Sequence, residues 1–226
     1  MTRIEVRRFL TAAALAILVA SPALAQPERD PLAGLADHIE QARGLWKVPG
    51  VAVAVVKDGQ VVFAEGFGVR SLVAGGTVDA DTLFAIGSNT KAFTATALGL
   101  LVQESKLAWD DPVLTYHPTF QMHDPLVTRT ITVRDLLCHR SGLGTFRGDL
   151  LGFGSTYDRA ELMRRIRFIE PSFDFRAGFG YSNLMFLTAG EIIPKVASLS
   201  WDEFIAERFF KPLGMIRTFY KPDPAV

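Results

Sequence analysis

The sequence predicts a chain of the mixed α/β class, of the α+β type: an antiparallel sheet flanked by helices, followed by a helical subdomain. Three observations carry this. Residues 51–64 form two apolar runs about Asp58-Gly59, a strong two-residue turn signal. Residues 84–87 read as a short apolar strand feeding a nearly uncharged helical segment at 92–102. Beyond it, capping signals at Thr132, Asp158 and Ser200 each precede helix-period sequence.

Taken in order, Asp30-Pro31 supplies an N-cap and a first-turn proline for a helix with apolar positions Leu32, Leu35, Ile39 and Ala42. Gly44 can close that helix. In the hairpin Val51, Val53 and Val55 alternate with Ala52, Ala54 and Val56, so both faces are apolar and the sheet is expected to be covered on both sides. Residues 66–81 are turn-rich with one further short strand. The helix at 92–102 is apolar on nearly every side, which predicts an interior position. Small residues at Thr94, Ala95, Thr96, Ala97 and Gly99 let neighbours approach its backbone. Thr132 and Asp135 resemble a capping box for a short helix at 133–138. Residues 142–157 read as loop. Asp158 caps a basic helix through Arg167, whose arginines read as a solvated face. Residues 173–180 form an extended aromatic loop, and 183–193 a helix that Pro194 should kink or stop. Ser200 and Glu203 form a capping box for the last helix, which Leu213-Gly214 ends. No repeat or linker divides residues 26–226, which are expected to form one domain.

Composition narrows the function. Hydrophobic residues make up 49% of the 226 positions, enough for a sizeable core. The formal charge is zero, so there is no electrostatic footprint for nucleic acid. Residues 1–25 read as a secretory signal peptide: Arg3, Arg7 and Arg8 start it, 9–20 is apolar but short for a bilayer, and Ala23-Leu24-Ala25 precedes Gln26. The protein is therefore expected to be exported, periplasmic or extracellular, with no membrane association after cleavage. Cleavage removes three arginines and one glutamate from 24 basic and 24 acidic residues, leaving a net charge of −2. Cys138 is the only cysteine, so no intrachain disulfide forms. His38, His117, His123 and His139 lack the spacing of a metal site; neither a metal nor another cofactor is expected, and the chain is expected to be a monomer.

The candidate chemistry lies in two places. Ser88 would stand at the N-terminus of the apolar helix, where unpaired N–H groups and the helix dipole favour negative charge on its oxygen. Lys91, at i+3, falls on the same face, with Cβ atoms about 5–6 Å apart. A serine with an amine one turn along is the arrangement that activates a hydroxyl nucleophile. Ser-x-x-Lys alone is weak, since about one is expected by chance in a chain of this length, and Ser88 as a plain N-cap with a solvated Lys91 is the bland alternative. The second place is Tyr181-Ser182-Asn183. In extended backbone Tyr181 and Asn183 point the same way and could face one pocket. A phenol near an ammonium loses its proton more readily, and Asn183 offers a donor and an acceptor to a substrate amide. Here too the bland alternative is a packing tyrosine and a helix cap.

Together Ser88-x-x-Lys91, residues Leu136-Leu137-Cys138-His139-Arg140-Ser141-Gly142-Leu143, Tyr181-Ser182-Asn183, and Phe209-Phe210-Lys211-Pro212-Leu213-Gly214-Met215 resemble the β-lactamase-related serine hydrolases. These include class C β-lactamases, penicillin-binding D-Ala-D-Ala peptidases and related esterases. The resemblance covers about 35–218 and implies a β-lactamase/transpeptidase-like fold. It implies Ser88 as the nucleophile that forms an acyl-enzyme, Lys91 as the group that keeps Ser88 and Tyr181 in the right protonation states, and Tyr181 as general base and acid. Asn183 would hold the substrate amide or carbonyl, and the Ser88 backbone N–H would be half of an oxyanion hole. The implied substrates are a β-lactam, a D-Ala-D-Ala peptide or an ester. The alternatives are a non-catalytic binder of peptidoglycan-like peptides and a non-functional gene fragment.

Three departures stand out. The family's Lys/His-x-Gly strand does not occur in the 45 residues after Tyr181, so a truncated chain lacking the C-terminal strands is expected, inactive or nearly so. Loss of one oxyanion donor alone costs about 10²–10³ in rate. Cys138 stands where the family often has threonine and is expected to be a small buried thiol. Pro194 interrupts a helix the family usually continues.

Overall fold

The computed structural model describes residues 30–152 and 154–220. They fall into two compact units, one ending at Thr82 and the other beginning at Leu83. The signal-peptide reading of residues 1–25 lies outside the described residues.

The first unit is a helix and a three-stranded antiparallel sheet. Helix α1 (Leu35–Trp46) starts later than the sequence suggests: Asp30 Oδ1 accepts from the Leu32 N–H at 2.9 Å, but 31–34 form a turn and Gly34, at φ 81°, precedes the first helical residue. The helix also runs through Gly44. It is closed by Lys47 at φ 55°, with the Lys47 N–H donating to Gly44 O and the Val48 N–H to Arg43 O at 3.0 Å. Strands β1 (Gly50–Lys57) and β2 (Gln60–Ser71) pair antiparallel, and Asp58 (φ 52°) and Gly59 (φ 75°) form the tight turn their sequence promised. Strand β3 (Gly75–Thr77) adds to β2, giving the order β1-β2-β3. The expectation of a sheet covered on both faces does not hold. No residue of β1 or β2 is fully buried, and Val56, Val61 and Val62 are exposed. Apolarity on both faces is compatible with cover but does not supply it: among the described residues this unit has only α1 to lay against a sheet.

The second unit is helical. Its first helix, α2 (Thr90–Gln103), follows a 3₁₀ turn at Gly87–Asn89. The strand expected at 84–87 is absent; Phe84 and Ile86 are exposed and Gly87 takes φ 50°, which an extended strand cannot include. Helix α2 is not buried all round. Thr94, Ala97, Leu98 and Leu101 form one buried stripe, while Ala92 and Thr96 are exposed, and such small side chains lose little by facing water.

Five further α-helices complete this unit among the described residues. Helix α3 (Pro125–Thr130), not anticipated from the sequence, is capped by Asp124, and α4 (Val133–Leu137) opens with the expected Thr132/Asp135 capping box. Helix α5 (Arg159–Arg165) is capped by Asp158. Helix α6 (Asn183–Ala197) begins at Ser182, whose hydroxyl accepts from the Met185 N–H. Helix α7 (Trp201–Ile205) has its Ser200/Glu203 box and continues as a π-helical turn, Ala206–Phe210.

Of the kink or stop expected at Pro194, the stop does not occur: α6 runs on to Ala197. Pro194 lies in the last turn, so a single bond to the Gly190 carbonyl is forgone, and the helix closes at Ser198 with φ 57°. The core draws on α2, α4, α6 and α7 through Leu98, Leu101, Leu136, Met185, Ile192, Ile193, Phe204 and Ile205. Each such side chain contributes about 1.5–3 kcal/mol relative to exposure. Cys138 is exposed, not buried as expected. Val133 and Leu136 carry the inward face of α4, and a residue two beyond Leu136 lies about 200° round the axis.

Candidate active site

The residues singled out in the sequence all lie in the second unit, and they meet. Ser88 enters from the 3₁₀ turn, not from the first turn of α2 as expected, and its side chain is exposed. Lys91 follows on the first turn of α2 and is half-buried. Its Nζ donates to Ser88 Oγ at 3.1 Å and to Asn183 Oδ1 at 2.5 Å. The Tyr181 hydroxyl lies 2.5 Å from Ser88 Oγ, within hydrogen-bond reach in either direction. Lys91 Nζ also sits 4.7 Å from the centre of the Tyr181 ring. A hydroxyl, an ammonium and a phenol from positions 88, 91 and 181 thus form one cluster.

Local structure holds each part. Tyr181 lies just before α6 and is hydrogen-bonded to the loop 142–152. Its N–H donates to Thr145 Oγ1 at 3.2 Å, and its carbonyl accepts from the Phe146 N–H at 2.9 Å. Gly180 allows this closeness: a Cβ there would stand 1.8 Å from the Leu143 carbonyl oxygen, so no side chain fits. Asn183, the first residue of α6, is fixed at both ends. Its Nδ2 donates to Asp149 Oδ2 at 2.6 Å and its N–H to Asp149 Oδ1 at 3.2 Å. A lysine only donates and a carboxylate only accepts, so these two partners settle which end of the amide faces which.

The electrostatics follow. Hydrogen bonding to Lys91, and then to Ser88, holds the Tyr181 phenol below its ordinary value against opposing desolvation. Burial, and then the charge of Lys91, keep the His139 imidazole below its ordinary value. A cavity of about 360 Å³ adjoins Lys91 between Phe93, Phe186 and Trp201, but Ser88, Tyr181 and Asn183 do not line it. Ser88 and Asn183 are exposed, and Tyr181 is partly buried.

Two neighbours were not foreseen. Asp149 fell within a glycine-rich stretch that carried no signal beyond loop. In the sequence His139 carries no role beyond membership of the Leu136–Leu143 segment and of four histidines without metal spacing, yet its ring stacks on Tyr181 with centroids 4.6 Å apart. Its place in Leu136–Leu143, between Ser88 and Tyr181 in the resemblance, was the one available hint.

The described fold is that of the β-lactamase/transpeptidase-like proteins. Residues 35–226 match the Beta-lactamase family, and the chain belongs to it. It is 34% identical over 207 residues to the unguisins hydrolase ungD' of Aspergillus campestris, covering 87% of this chain and 38% of that protein. Among solved structures, the octameric penicillin-binding protein homologue from Pyrococcus abyssi superimposes with a TM-score of 0.74 at 30% identity, covering 85% of this chain and 45% of that one. The D-amino acid amidase from Ochrobactrum anthropi, complexed with L-phenylalanine amide, gives a TM-score of 0.69 at 28% identity, covering 82% and 51%. The chain thus spans about two fifths to one half of the length of these relatives.

Proposed function

We propose that this chain carries the acylating centre of a serine hydrolase acting on an amide, β-lactam or ester carbonyl. The observation that supports this best is the 2.5 Å approach of the Tyr181 hydroxyl to Ser88 Oγ, with Lys91 Nζ 3.1 Å from the same oxygen. In the proposed reaction Ser88 Oγ attacks the carbonyl carbon while its proton passes to the Tyr181 phenolate. The tetrahedral adduct collapses, Tyr181 returns that proton to the leaving nitrogen or oxygen, and Ser88 is left acylated. Water then attacks the acyl carbon as one of its protons passes to the Tyr181 phenolate; the bond from that carbon to Ser88 Oγ breaks, Tyr181 returns the proton to Oγ, and the carboxylic acid product leaves. Lys91 stabilises the phenolate, and Asn183 holds the acyl side of the substrate. The Ser88 backbone N–H provides one oxyanion donor. The names of the relatives agree with this chemistry: one is a hydrolase and one a D-amino acid amidase.

The intact chain treated with a fluorophosphonate or a β-lactam should gain one adduct mass on Ser88, and Ser88→Ala should gain none. No adduct from either reagent on folded protein, or an adduct that persists in Ser88→Ala, rejects the proposal. The arginine-led apolar segment ahead of Gln26 further supports delivery outside the cytoplasm. Protein recovered from an expressing cell's exported fraction should begin at Gln26 on N-terminal sequencing; recovery only as an uncleaved cytoplasmic chain counts against export.

A further inference from the structure

We propose that His139 is a positioning residue for Tyr181, which holds the phenol at Ser88 through ring stacking and through two hydrogen bonds to the flanking backbone. The inference rests on the reading of Tyr181 as the proton acceptor. It starts from three contacts that converge from one residue. The imidazole lies on the phenol ring, centroids 4.6 Å apart and planes 26° apart. The His139 carbonyl accepts from the Gly180 N–H at 2.8 Å. The His139 Nδ1 accepts from the Ser182 N–H at 3.1 Å. The residues on either side of Tyr181 are thereby fastened to the same anchor.

The anchor is itself fixed. Phe179 meets the imidazole edge-on at 5.4 Å, and Phe186 lies against it at 5.2 Å. His139 also sits at φ 56°, in the left-handed region, where asparagine, aspartate and histidine are the favoured residues after glycine. Nδ1 can accept only while it carries no proton. Burial and the nearby charge of Lys91 favour that neutral state, against the opposing pull of Asp149. A residue that merely filled space would not need an acceptor here. Phenylalanine would stack equally well and leave the Ser182 N–H without its partner.

Positioning differs from packing in what it controls. A shift of about 1 Å in a reacting group can cost about 10²-fold in rate without changing substrate affinity. The same shift would take the phenol away from the groups that lower its titration point. Ser88, Lys91 and Asp149 also bear on the phenol, and substitution at His139 leaves those three side chains chemically unchanged. A change in the Tyr181 titration then reports its geometry.

The test uses the full chain labelled with ¹³C at the tyrosine ζ carbon, with Tyr181→Phe assigning the resonance. In His139→Ala the Tyr181 midpoint should rise toward that of an ordinary phenol. His139→Asn tolerates the left-handed backbone and keeps an acceptor but no ring, so it should fall between that variant and the parent. The limiting rate of fluorophosphonate addition should fall about 10- to 100-fold in His139→Ala, with the half-saturating reagent concentration changed less than about threefold. An unchanged Tyr181 midpoint in either folded variant overturns the proposal, even if the melting temperature drops. A loss confined to the half-saturating concentration overturns it too. If His139→Ala does not fold, His139→Asn decides the question. If the parent takes no adduct, the acyl-transfer reading fails, while the Tyr181 titration still decides the role of His139.

Discussion

Lys91→Met should slow fluorophosphonate addition to Ser88 by about 10²- to 10⁴-fold, the range spanned by proton-transfer groups held in place. Methionine keeps the length and apolar stem of the side chain, so the loss is that of the ammonium alone. That ammonium contacts Ser88 at 3.1 Å and Asn183 at 2.5 Å and lies over the Tyr181 ring. It is also the first cause of the lowered Tyr181 titration. The sign of the pH effect follows. The phenolate fraction grows as pH rises through the depressed Tyr181 value, so the acid limb of the parent's rate profile should lie below the ordinary phenol value of 10.0. In Lys91→Met that limb should move to higher pH. A rate–pH profile whose acid limb stays in place in the variant would show that Lys91 does not govern Tyr181.

Arg176→Ala should destabilise the chain by about 2 kcal/mol, with a melting temperature lower by about 4–8 °C. Arg176 donates through Nε and Nη2 to the two oxygens of Asp135 at 2.9 and 2.7 Å. Asp135 is only 9% exposed, so removing its partner leaves a charge with little access to water. Arg176 is 46% exposed, and solvent screening reduces the loss below the about 3–5 kcal/mol of a fully buried pair. Burial pushes the Asp135 carboxyl up, but Arg176 and Thr132 outweigh it and hold the carboxyl below its ordinary 3.8. Its contribution is therefore complete above the unfolded value and disappears as pH falls through the folded one. In Arg176→Ala burial acts with less opposition, so acid unfolding should begin at higher pH. Denaturant melts at pH 7 and pH 3 measure both effects; coincident curves for parent and variant would show the pair to be energetically idle.

The same pair illustrates what the sequence discloses and what it withholds. Thr132 and Asp135 were legible as a cap because the signal spans four residues and depends on no partner outside the helix. The ion pair that Asp135 makes with Arg176 was not legible, because 41 positions separate them and nothing local marks the second. The turn of the hairpin and the strand ends beside it were legible to within a residue, since Asp58-Gly59 specifies its own turn, but β2 runs on to Ser71 through residues whose sequence reads as turn-rich. The end of α1 was misplaced because a lysine, not the nearby glycine, adopts the left-handed conformation. Burial was the least legible property. Apolar sequence at 51–64 and 92–102 implied enclosure, whereas enclosure depends on which neighbours arrive. In the cluster, Ser88, Lys91, Tyr181 and Asn183 came from short motifs. Asp149 and His139 act through backbone amides and a ring face, and those contacts leave no pattern in the residues themselves.

Asn183 stands between Lys91 and Asp149 and joins a cation to an anion without letting the two touch. The carbamoyl group becomes a small fixed dipole, aligned by its poles and unable to invert without setting donor against donor and acceptor against acceptor. Its near-isostere aspartate would fill the same volume yet set two anions side by side and abolish that polarity, so shape alone is a poor guide to which residues position 183 can accept.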